Sequence, residues 1–285
     1  MSRKKVSILT LQKRKEAGQP ITMLTAYDYS SAVLVDQAEI DIILVGDSLG
    51  MVMLGYESTV PVTMSDMLHH CRAVARGSHY AFLVGDMPFM SYQAEVAEAV
   101  RNAGRFLQEA NMDAVKLEGG REMGPTVAAI VKVGIPVMGH IGLTPQSLSQ
   151  LGGYRIQGKT AGSARRLLDD ALALEQAGCF AIVLEAVPAP VATAISRRLR
   201  IPTIGIGAGP NCDGQVLVYH DILGLFDRLQ PRFVKEYANV GEIIANAFSA
   251  FRDDVVAHRF PAEEHLYSMD ETEKEDFYKG LELDA

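Results

Sequence analysis

Eight apolar segments of strand length recur along this 285-residue chain, and they constrain its fold more than any other feature. Most are continuous rather than alternating, which is typical of parallel strands that are covered on both faces. The segments are ITMLTAY (21–27), DIILVGD (41–47), AFLVGDM (81–87), AVKLEGG (114–120), IPVMGHI (135–141), FAIVLEAV (180–187), IPTIGIG (201–207) and QVLVYHD (215–221). A chain of this length with eight such segments is typical of one large α/β domain.

Helical patterns separate the apolar segments. In residues 91–111 the predicted apolar stripe consists of Val96, Val100, Ala103 and Leu107. In residues 160–178 it consists of Ala164, Leu167, Leu168, Ala171 and Leu172, and the pattern stops at Gly178. Shorter helices are predicted at 121–133 and 190–199. We therefore predict a single (β/α)8 TIM barrel. The alternative is an open doubly wound sheet, but the dinucleotide fingerprint expected after its first strand is absent from TAYDYSSA.

Composition and charge exclude other classes of protein. No apolar run approaches the ~20 residues that cross a bilayer, so we expect no membrane span. Residues 261–285 contain nine acidic and two basic side chains and carry nearly all of the net charge of −8. The rest of the chain is close to neutral, which does not indicate a nucleic-acid-binding surface. We predict a barrel domain over residues 1–268 and an acidic, solvated or disordered extension over residues 269–285.

The N-terminus and the cysteines are typical of a cytoplasmic protein. Residues 1–18 are basic and have neither a long apolar stretch nor a small-residue cleavage site, so we expect no signal peptide. A short amphipathic helix carrying Ile8 and Leu11 is predicted there instead. The cysteines are widely spaced and odd in number, which indicates neither a disulfide framework nor a zinc site. They are Cys71, Cys179 and Cys212.

Two neighbouring strands are predicted to end in the same way, on a glycine and then an aspartate. These are ILVGDS, which contains Asp47, and FLVGDM, which contains Asp86. In a TIM barrel the active site lies at the C-terminal ends of the strands, so both carboxylates should reach one mouth. Lys116 and Glu118 are two residues apart on the fourth strand and share one face of it.

Three carboxylates at a partly buried mouth repel one another unless a cation lies among them. Hard divalent cations such as Mg²⁺ take oxygen ligands and often keep waters or substrate oxygens. We therefore predict a metal site formed by Asp47, Asp86 and Glu118. The alternative is that each strand-end aspartate caps the next helix or pairs with a lysine. His140 and Glu185 should face the same mouth, and His140 could equally be a core histidine.

Other polar positions have less distinctive settings. Asp28 follows the first strand and is interpreted as a cap of the next segment, with a catalytic role as the alternative. His69 and His70 lie in a predicted helix, where packed or exposed histidines are commoner than ligands. The alternate glycines of GIGAG (205–209) could cradle a phosphate, but Pro210 stands where GxGxxG requires its last glycine.

Longer segments resemble the ketopantoate hydroxymethyltransferase family of the pantothenate pathway. In chain order they are LTAYD, LVGDSLGMVMLGYESTVPVT, RAVARG, VGDMPFMSY, AVKLEGG, VMGHIGLTPQS, LGGYRIQG and IGIGAGPNCDGQVLVYHDILGL. The resemblance runs from about residue 7 to residue 268 and leaves out the acidic extension. It implies a TIM barrel of the phosphoenolpyruvate/pyruvate type. It also implies transfer of a one-carbon unit from 5,10-methylenetetrahydrofolate to 3-methyl-2-oxobutanoate, giving 2-dehydropantoate.

The same resemblance implies roles for the metal and substrate residues. Asp47 and Asp86 resemble the direct Mg²⁺ ligands, and Glu118 resembles the third carboxylate of the metal site, acting directly or through water. Ser48, with Asp86 and Lys116, resembles the contacts to the keto acid. A metal held by the 2-oxo and carboxylate groups would stabilise the enolate that forms at C3.

Glu185, in IVLEAVP, resembles the proton acceptor of the family, and His140 is given only a polar supporting role. The resemblance further implies a homodecamer. Two rival functions stay open at this point. One is a metal-dependent lyase or mutase that acts on another 2-oxo acid and needs no folate. The other is a non-catalytic barrel that binds a keto acid or metal as a scaffold or sensor, against which the presence of Glu185 argues.

Overall fold

A computed structural model describes residues 3–226, 228 and 231–281 of the chain and confirms the predicted closed barrel. Eight parallel strands pair in sequence order, and the last pairs with the first. The strands are β1 (Ile21–Thr25), β2 (Ile42–Val45), β3 (Phe82–Asp86), β4 (Ala114–Glu118), β5 (Val137–Gly142), β6 (Ala181–Glu185), β7 (Thr203–Ile206) and β8 (Gly214–Leu217). Each lies within, or within one residue of, a predicted apolar segment.

Helices connect the strands and continue beyond the barrel. They are α1 (Ile8–Glu16), α2 (Tyr29–Gln37), α3 (Leu49–Val52), α4 (Met64–Gly77), α5 (Val96–Ala110), α6 (Gly124–Lys132), α7 (Leu148–Leu151), α8 (Ala161–Ala177), α9 (Ala189–Arg198), α10 (Tyr219–Ile222), α11 (Val240–Val256) and α12 (Glu271–Gly280). Short 3-10 turns lie at Arg121–Met123, Pro145–Ser147 and Glu263–His265. The predicted N-terminal helix that carries Ile8 and Leu11 is confirmed, as are the helices predicted at 121–133 and 190–199.

Two local predictions need correction. The last apolar segment stops being a strand at Leu217, and its final residues form the short helix α10. The apolar stripe predicted for α5 is also displaced, because Val96 is exposed and Ala103 is its only fully buried member. The buried face is instead formed by Ala99, Ala103, Phe106 and Ala110.

The face of α5 is set by a contact with β3. A Cβ atom on Gly85 would lie 2.4 Å from the Phe106 ring, so only glycine lets this ring pack against the strand. The small side chains of Ala99 and Ala103 allow the helix backbone to approach as closely. The glycine that precedes Asp86 therefore serves packing outside the barrel, whereas Asp86 itself faces the site.

Two hydrophobic cores hold the barrel together. The inner core fills the lumen with strand side chains such as Met23, Leu44, Val84 and Met138. Phe82 also lies there, in edge-to-face contact with Phe180. The outer core packs the other faces of the strands against the helices. Because both faces of each strand are covered, the continuous apolar character of the eight segments follows from the fold.

The N-terminal segment packs at the end of the barrel opposite the strand C-termini. Leu11 of α1 is buried in the inner core. Lys5 pairs with Asp113 at 2.8 Å, and Lys15 pairs with Asp213 at 2.7 Å. Both aspartates immediately precede strands, so they lie at the strand N-termini. With one end covered in this way, the C-terminal end is left as the mouth.

Residues from 239 onward form a separate compact unit. It contains α11, which buries none of its residues and exposes large apolar side chains, among them Ile243, Phe248 and Phe251. It also contains α12, so the described part of the acidic extension is helical rather than irregular. A domain boundary at residue 268 remains a prediction, and residues 282–285 lie outside the described residues. Among the helices described, none has the length and apolar content needed to cross a membrane.

Candidate active site

The predicted site residues converge at the C-terminal ends of neighbouring strands. Asp86 ends β3, and its register partner on β4 is Lys116. Glu118 ends β4 beside His140 on β5. Glu185 ends β6. All of these residues line one cavity, which confirms that the strand ends deliver them to a single mouth.

A tight cluster of charges lies between β2 and β4. The backbone N–H of Asp47 donates to Oδ2 of Asp86 at 3.2 Å. Lys116 Nζ lies 2.7 Å from the other oxygen of Asp86, and both side chains are almost fully buried. The sequence left an alternative role open for these aspartates, as helix caps or as partners of a lysine. Asp86 does pair with a lysine, Lys116. Neither aspartate is the cap of a following helix.

A second row of charges continues along β4, β5 and β6. Oε1 of Glu118 lies 3.4 Å from Nδ1 of His140, and Oε2 of Glu185 lies 3.2 Å from Nε2 of the same ring. Lys116 Nζ also lies 3.4 Å from His140 Nδ1. His140 thus lies between two carboxylates and lines the cavity, and a role for it in the site stays a prediction.

Burial and crowding shift the pKa values of these groups. Burial, followed by the charges of Asp86 and Glu118, raises the pKa of Asp47 well above its usual range. Burial also raises the pKa of Asp86, although Lys116 opposes the shift. Burial and Lys116 disfavour the charged form of His140, yet Glu118 and Glu185 raise its pKa to about 9. The cluster therefore holds more negative charge than Lys116 and His140 readily balance.

Gln146 connects two of the three carboxylates and was not anticipated from the sequence. Its side-chain N–H donates to Oδ2 of Asp47 and to the backbone carbonyl of Met87, both at 2.9 Å. Its backbone N–H donates to Oε2 of Glu118 at 3.0 Å. Tyr92 donates to the amide oxygen of Gln146 at 2.7 Å. Gln146 lies in VMGHIGLTPQS, one of the segments that resemble the family, but no periodic or charge pattern there predicts a contact for it.

The residues present fit a hard divalent cation. Among the described residues, Oδ1 of Asp47 accepts no hydrogen bond, so it is available as a ligand beside the crowded carboxylates. Both oxygens of Glu118 already face His140 or Gln146, and both oxygens of Asp86 likewise face Lys116 or the backbone N–H of Asp47. In the described part of the chain, no three His, Cys, Asp or Glu side chains form a complete metal site. Mg²⁺ commonly takes one or two carboxylates and completes its shell with water and substrate.

The floor and walls of the cavity are mixed in polarity. Ser48 lies at the mouth, and its hydroxyl is 2.8 Å from the hydroxyl of the buried Tyr27. The cavity measures about 660 Å³, within the range of small-molecule sites. Tyr154 overhangs it, and burial followed by the charge of Glu185 raises the pKa of its phenol. Asp221, on α10, is a further lining carboxylate; it ends the last predicted apolar segment but was not predicted as a site residue.

The remaining sequence candidates lie elsewhere or play other parts. Asp28 caps α2 by accepting a hydrogen bond of 2.8 Å from the backbone of Ser31. His69 and His70 lie in α4 and do not line the cavity. In GIGAG, Gly207 does line the cavity, and a Cβ there would lie 2.5 Å from the Phe233 ring.

Comparisons with known proteins agree on one family. A family model described as ketopantoate hydroxymethyltransferase matches residues 5–263. A protein named 3-methyl-2-oxobutanoate hydroxymethyltransferase from Moorella thermoacetica is 58% identical over 265 residues, covering 93% of this chain and 98% of that protein. One with the same name from Clostridium novyi is 54% identical over 274 residues, covering 96% of this chain and 100% of that protein.

Solved structures of similar fold have much lower identity. Phosphonopyruvate hydrolase in complex with oxalate and Mg²⁺ matches with a TM-score of 0.56 and 14% identity, over 97% of each chain. 2,3-Dimethylmalate lyase, a member of the PEP mutase/isocitrate lyase superfamily, matches with a TM-score of 0.56 and 15% identity, over 95% of this chain and 98% of its own. These likenesses support the barrel fold.

Proposed function

The chain belongs to the ketopantoate hydroxymethyltransferase family and is an enzyme that transfers a hydroxymethyl group to 3-methyl-2-oxobutanoate; we propose that the charged residues at the mouth of the barrel carry out this reaction with Mg²⁺ and 5,10-methylenetetrahydrofolate. The observation that carries the proposal is that Glu185 and His140 line one cavity together with the buried Asp47, Asp86 and Glu118. This arrangement offers a proton acceptor beside a site for a chelated keto acid.

Asp47 and Asp86 would hold the cation directly, and Glu118 would support it through water. When bound, the cation supplies Lewis-acid stabilisation of the negative charge that develops on the 2-oxo oxygen, a contribution of several kcal/mol. The hydroxyl of Ser48, which already contacts Tyr27, is placed to bind the keto acid beside Asp47.

Lys116 contributes positive charge at the same place. Its pKa is raised, despite the opposing effect of burial, by the surrounding charges of Asp86, Glu118 and Asp47, so it stays protonated. Its ammonium group lies against Asp86 within the buried cluster. We assign it to the oxygens of the keto acid, where a fixed cation in a water-poor site acts strongly.

Glu185 is assigned the removal of the C3 proton. Its side chain is less deeply buried than those of its neighbours, with 15% of its surface exposed, so it can meet a substrate in the cavity. His140 lies 3.2 Å away and, with a pKa of about 9, is protonated at neutral pH. The imidazolium thus places a positive charge beside the Glu185 carboxylate before substrate binds. A positioned base of this kind contributes about 10²–10⁴ in rate.

Carbon–carbon bond formation requires room beside C3 for the one-carbon donor. The cavity is much larger than a keto acid with a valine-sized skeleton, and its opening is lined by flat or apolar side chains that include Tyr154, Ile156 and Phe233. Such a surface suits a pterin ring and keeps water from the nucleophilic carbon. We assign the donor to the apolar side of the cavity, which includes Phe233.

Further properties are proposed on the same basis. The family resemblance supports a homo-oligomer, a decamer, that acts in pantothenate biosynthesis. The cysteines of the described chain are free thiols, and Cys71 and Cys179 are buried, which supports a reducing cytoplasm. Within the described residues, no specific feature favours a scaffold or sensor role over catalysis.

The deciding experiment is an assay of the purified full-length chain with 3-methyl-2-oxobutanoate, methylenetetrahydrofolate and Mg²⁺. We expect 2-dehydropantoate, and we expect none when either the folate or the divalent cation is omitted. Conversion of the keto acid to another product without folate would instead identify the metal-dependent lyase or mutase reaction. Binding of the keto acid without any turnover would identify a non-catalytic barrel.

A further inference from the structure

The cavity has two halves of different character. The strands β2 to β6 supply the carboxylates, the lysine and the histidine already described. The opposite wall is built by β7, β8 and the residues that follow them, and it is largely apolar. Its lining side chains include Ile206, Val216, Val218, Phe226 and Phe233. A ligand bound there would lie against a hydrophobic surface.

One carboxylate interrupts this apolar wall. Asp221 lies on α10, directly after β8, and lines the cavity. In a closed ring of eight strands β8 is opposite β4, so Asp221 faces the cavity from the side across from Lys116 and Glu118. Of the carboxylates among the described lining residues, it is the one that the metal and keto-acid site does not use.

Among the residues that the structure describes, Asp221 has no partner that would explain it as a structural residue. Among the described residues, no hydrogen-bond donor or ion-pair cation contacts its carboxylate. Its nearest link to the reaction site is electrostatic: its charge acts on the phenol of Tyr27, which in turn contacts Ser48. A partly buried carboxylate without donors is costly, and a ligand that brought N–H groups to it would remove that cost.

The side chains that line this half of the cavity indicate which class of ligand it would bind. A flat apolar body is required, with at least one N–H donor at the edge that meets Asp221. Two arginines, Arg155 and Arg232, also line the cavity and are largely exposed, so they suit anionic groups at the outer end of the ligand. A reduced 2-amino-4-oxopteridine with a carboxylate-bearing tail meets all of these requirements.

We propose that Asp221 recognises the pterin ring of the one-carbon donor by accepting hydrogen bonds from its N3–H and 2-amino groups. These two N–H bonds are parallel and adjacent, as in a guanidinium group, and they match the two oxygens of a carboxylate. The inference rests on the proposed use of a folate donor and adds the residue that selects the ring. Burial, which raises the pKa of Asp221 to about 6, agrees with a carboxylate that waits for such donors.

The test measures binding without turnover. Tetrahydrofolate would be titrated calorimetrically into the full-length chain and into Asp221→Asn, in the presence of Mg²⁺ and 3-methyl-2-oxobutanoate. In the variant an amide N–H₂ meets the N–H donors of the pterin, so we expect affinity for tetrahydrofolate to fall about tenfold to a hundredfold. Asp169→Asn, an exposed change on α8, is the matched control and should bind as the parent does.

A second ligand identifies the interacting atoms. A tetrahydrofolate analogue that lacks the 2-amino group should bind the parent chain more weakly than tetrahydrofolate does. Asp221→Asn should discriminate far less between the two ligands, because it lacks the carboxylate that accepts a hydrogen bond from the 2-amino group. Asp221→Ser provides a second variant if the asparagine variant fails to fold.

The outcomes separate this inference from the proposed function. Tetrahydrofolate affinity within about twofold of the parent, or full discrimination retained in the variant, overturns the role of Asp221. A loss of keto-acid binding with unchanged folate binding also overturns it, since Asp221 would then act at the other substrate. If the parent chain binds no tetrahydrofolate at all, the proposed folate donor fails, and the inference fails with it.

Discussion

The side-chain amide of Gln146 donates a hydrogen bond of 2.9 Å to the carboxylate of Asp47, which lies 99 residues earlier in the chain. The orientation of this amide is determined by its neighbours. Tyr92 and Gln93 both donate to its oxygen, so its N–H₂ group must face Asp47 and the carbonyl of Met87. With Oδ2 of Asp47 held in this way, Oδ1 accepts no hydrogen bond from the described residues and is the oxygen available to the proposed metal.

Loss of this hydrogen bond should weaken metal binding. Gln146→Met keeps the length of the side chain and leaves the backbone bond to Glu118 in place, so it isolates the contact with Asp47. We expect the affinity for Mn²⁺, measured by the electron paramagnetic resonance signal of the free ion, to fall about 10–100-fold. Gln93→Met is the matched control and should change it little, because Tyr92 still holds the amide. Equal affinity in Gln146→Met and the parent would show that Asp47 needs no such support.

The three carboxylates of the metal site should differ in importance. Asp47→Ala and Asp86→Ala should weaken the affinity for both the divalent cation and 3-methyl-2-oxobutanoate. The loss of affinity should exceed the decrease of about 10–100-fold that is expected when a supporting residue is removed. Glu118→Gln should be milder, because Glu118 is proposed to support the cation through water rather than to bind it directly. Calorimetric titration of Mg²⁺ and the keto acid measures each effect. Unchanged metal binding in both aspartate variants would disprove the site.

Glu185 should be needed for proton removal but not for binding. Glu185→Gln has nearly the shape of the parent side chain, so it should bind Mg²⁺ and the keto acid normally, yet its amide cannot accept the C3 proton. In D₂O the parent with Mg²⁺ should exchange the C3 hydrogen for deuterium, and we expect the variant to exchange about 10²–10⁴ times more slowly. Exchange at the parent rate would point to His140, 3.2 Å away, as the base. If neither protein exchanges before folate is added, proton removal requires the ternary complex, and the comparison is repeated with tetrahydrofolate bound.

Asp221 should make stability depend on pH. Burial raises its pKa from 3.8 to about 6, so the folded chain binds this proton more tightly than the unfolded chain does. The resulting cost is absent below pH 3.8, grows as pH rises and is complete above about pH 6. The shift corresponds to roughly 3 kcal/mol, and because the carboxyl is partly exposed to screening solvent we expect about 1–2 kcal/mol.

Asp221→Asn should therefore be more stable than the parent at pH 7 and equally stable near pH 3.5, if both remain folded there. Urea unfolding at a series of pH values, without ligands, measures the difference. A variant that is less stable than the parent at pH 7 would show that the carboxylate has a stabilising partner. A gain in stability combined with weaker tetrahydrofolate binding is the pattern expected of a binding residue.

The acidic extension should be dispensable for the barrel. Among the described residues its helix α12 pairs charges mainly within itself, as in the 3.4 Å contact of Lys274 with Glu271. A chain that ends at Met269 should keep its melting temperature and its turnover, because no described residue after Met269 belongs to either core or lines the cavity. Differential scanning calorimetry and the assay test this, with the full-length chain as control. Loss of assembly or activity would show that the extension contacts another subunit or a site.

The sequence by itself determined the barrel and the carboxylates at its mouth. Strand length, continuous apolar character and chain order are local properties, and in a parallel barrel they specify which strands are neighbours. Asp47 and Asp86 could therefore be placed together, with Glu118, His140 and Glu185 beside them, from their positions at the ends of successive strands. Long matching segments then supplied the family.

Only the tertiary structure decided which side chains complete the site. Gln146 and Asp221 lie on connections after β5 and β8, where no periodicity relates a residue to its contacts. Their partners depend on the path of each connection over the mouth. The buried face of α5 was likewise set by packing, because Phe106 occupies the space that Gly85 leaves open. Strand order follows from local pattern, whereas contacts between distant residues depend on how the whole chain packs.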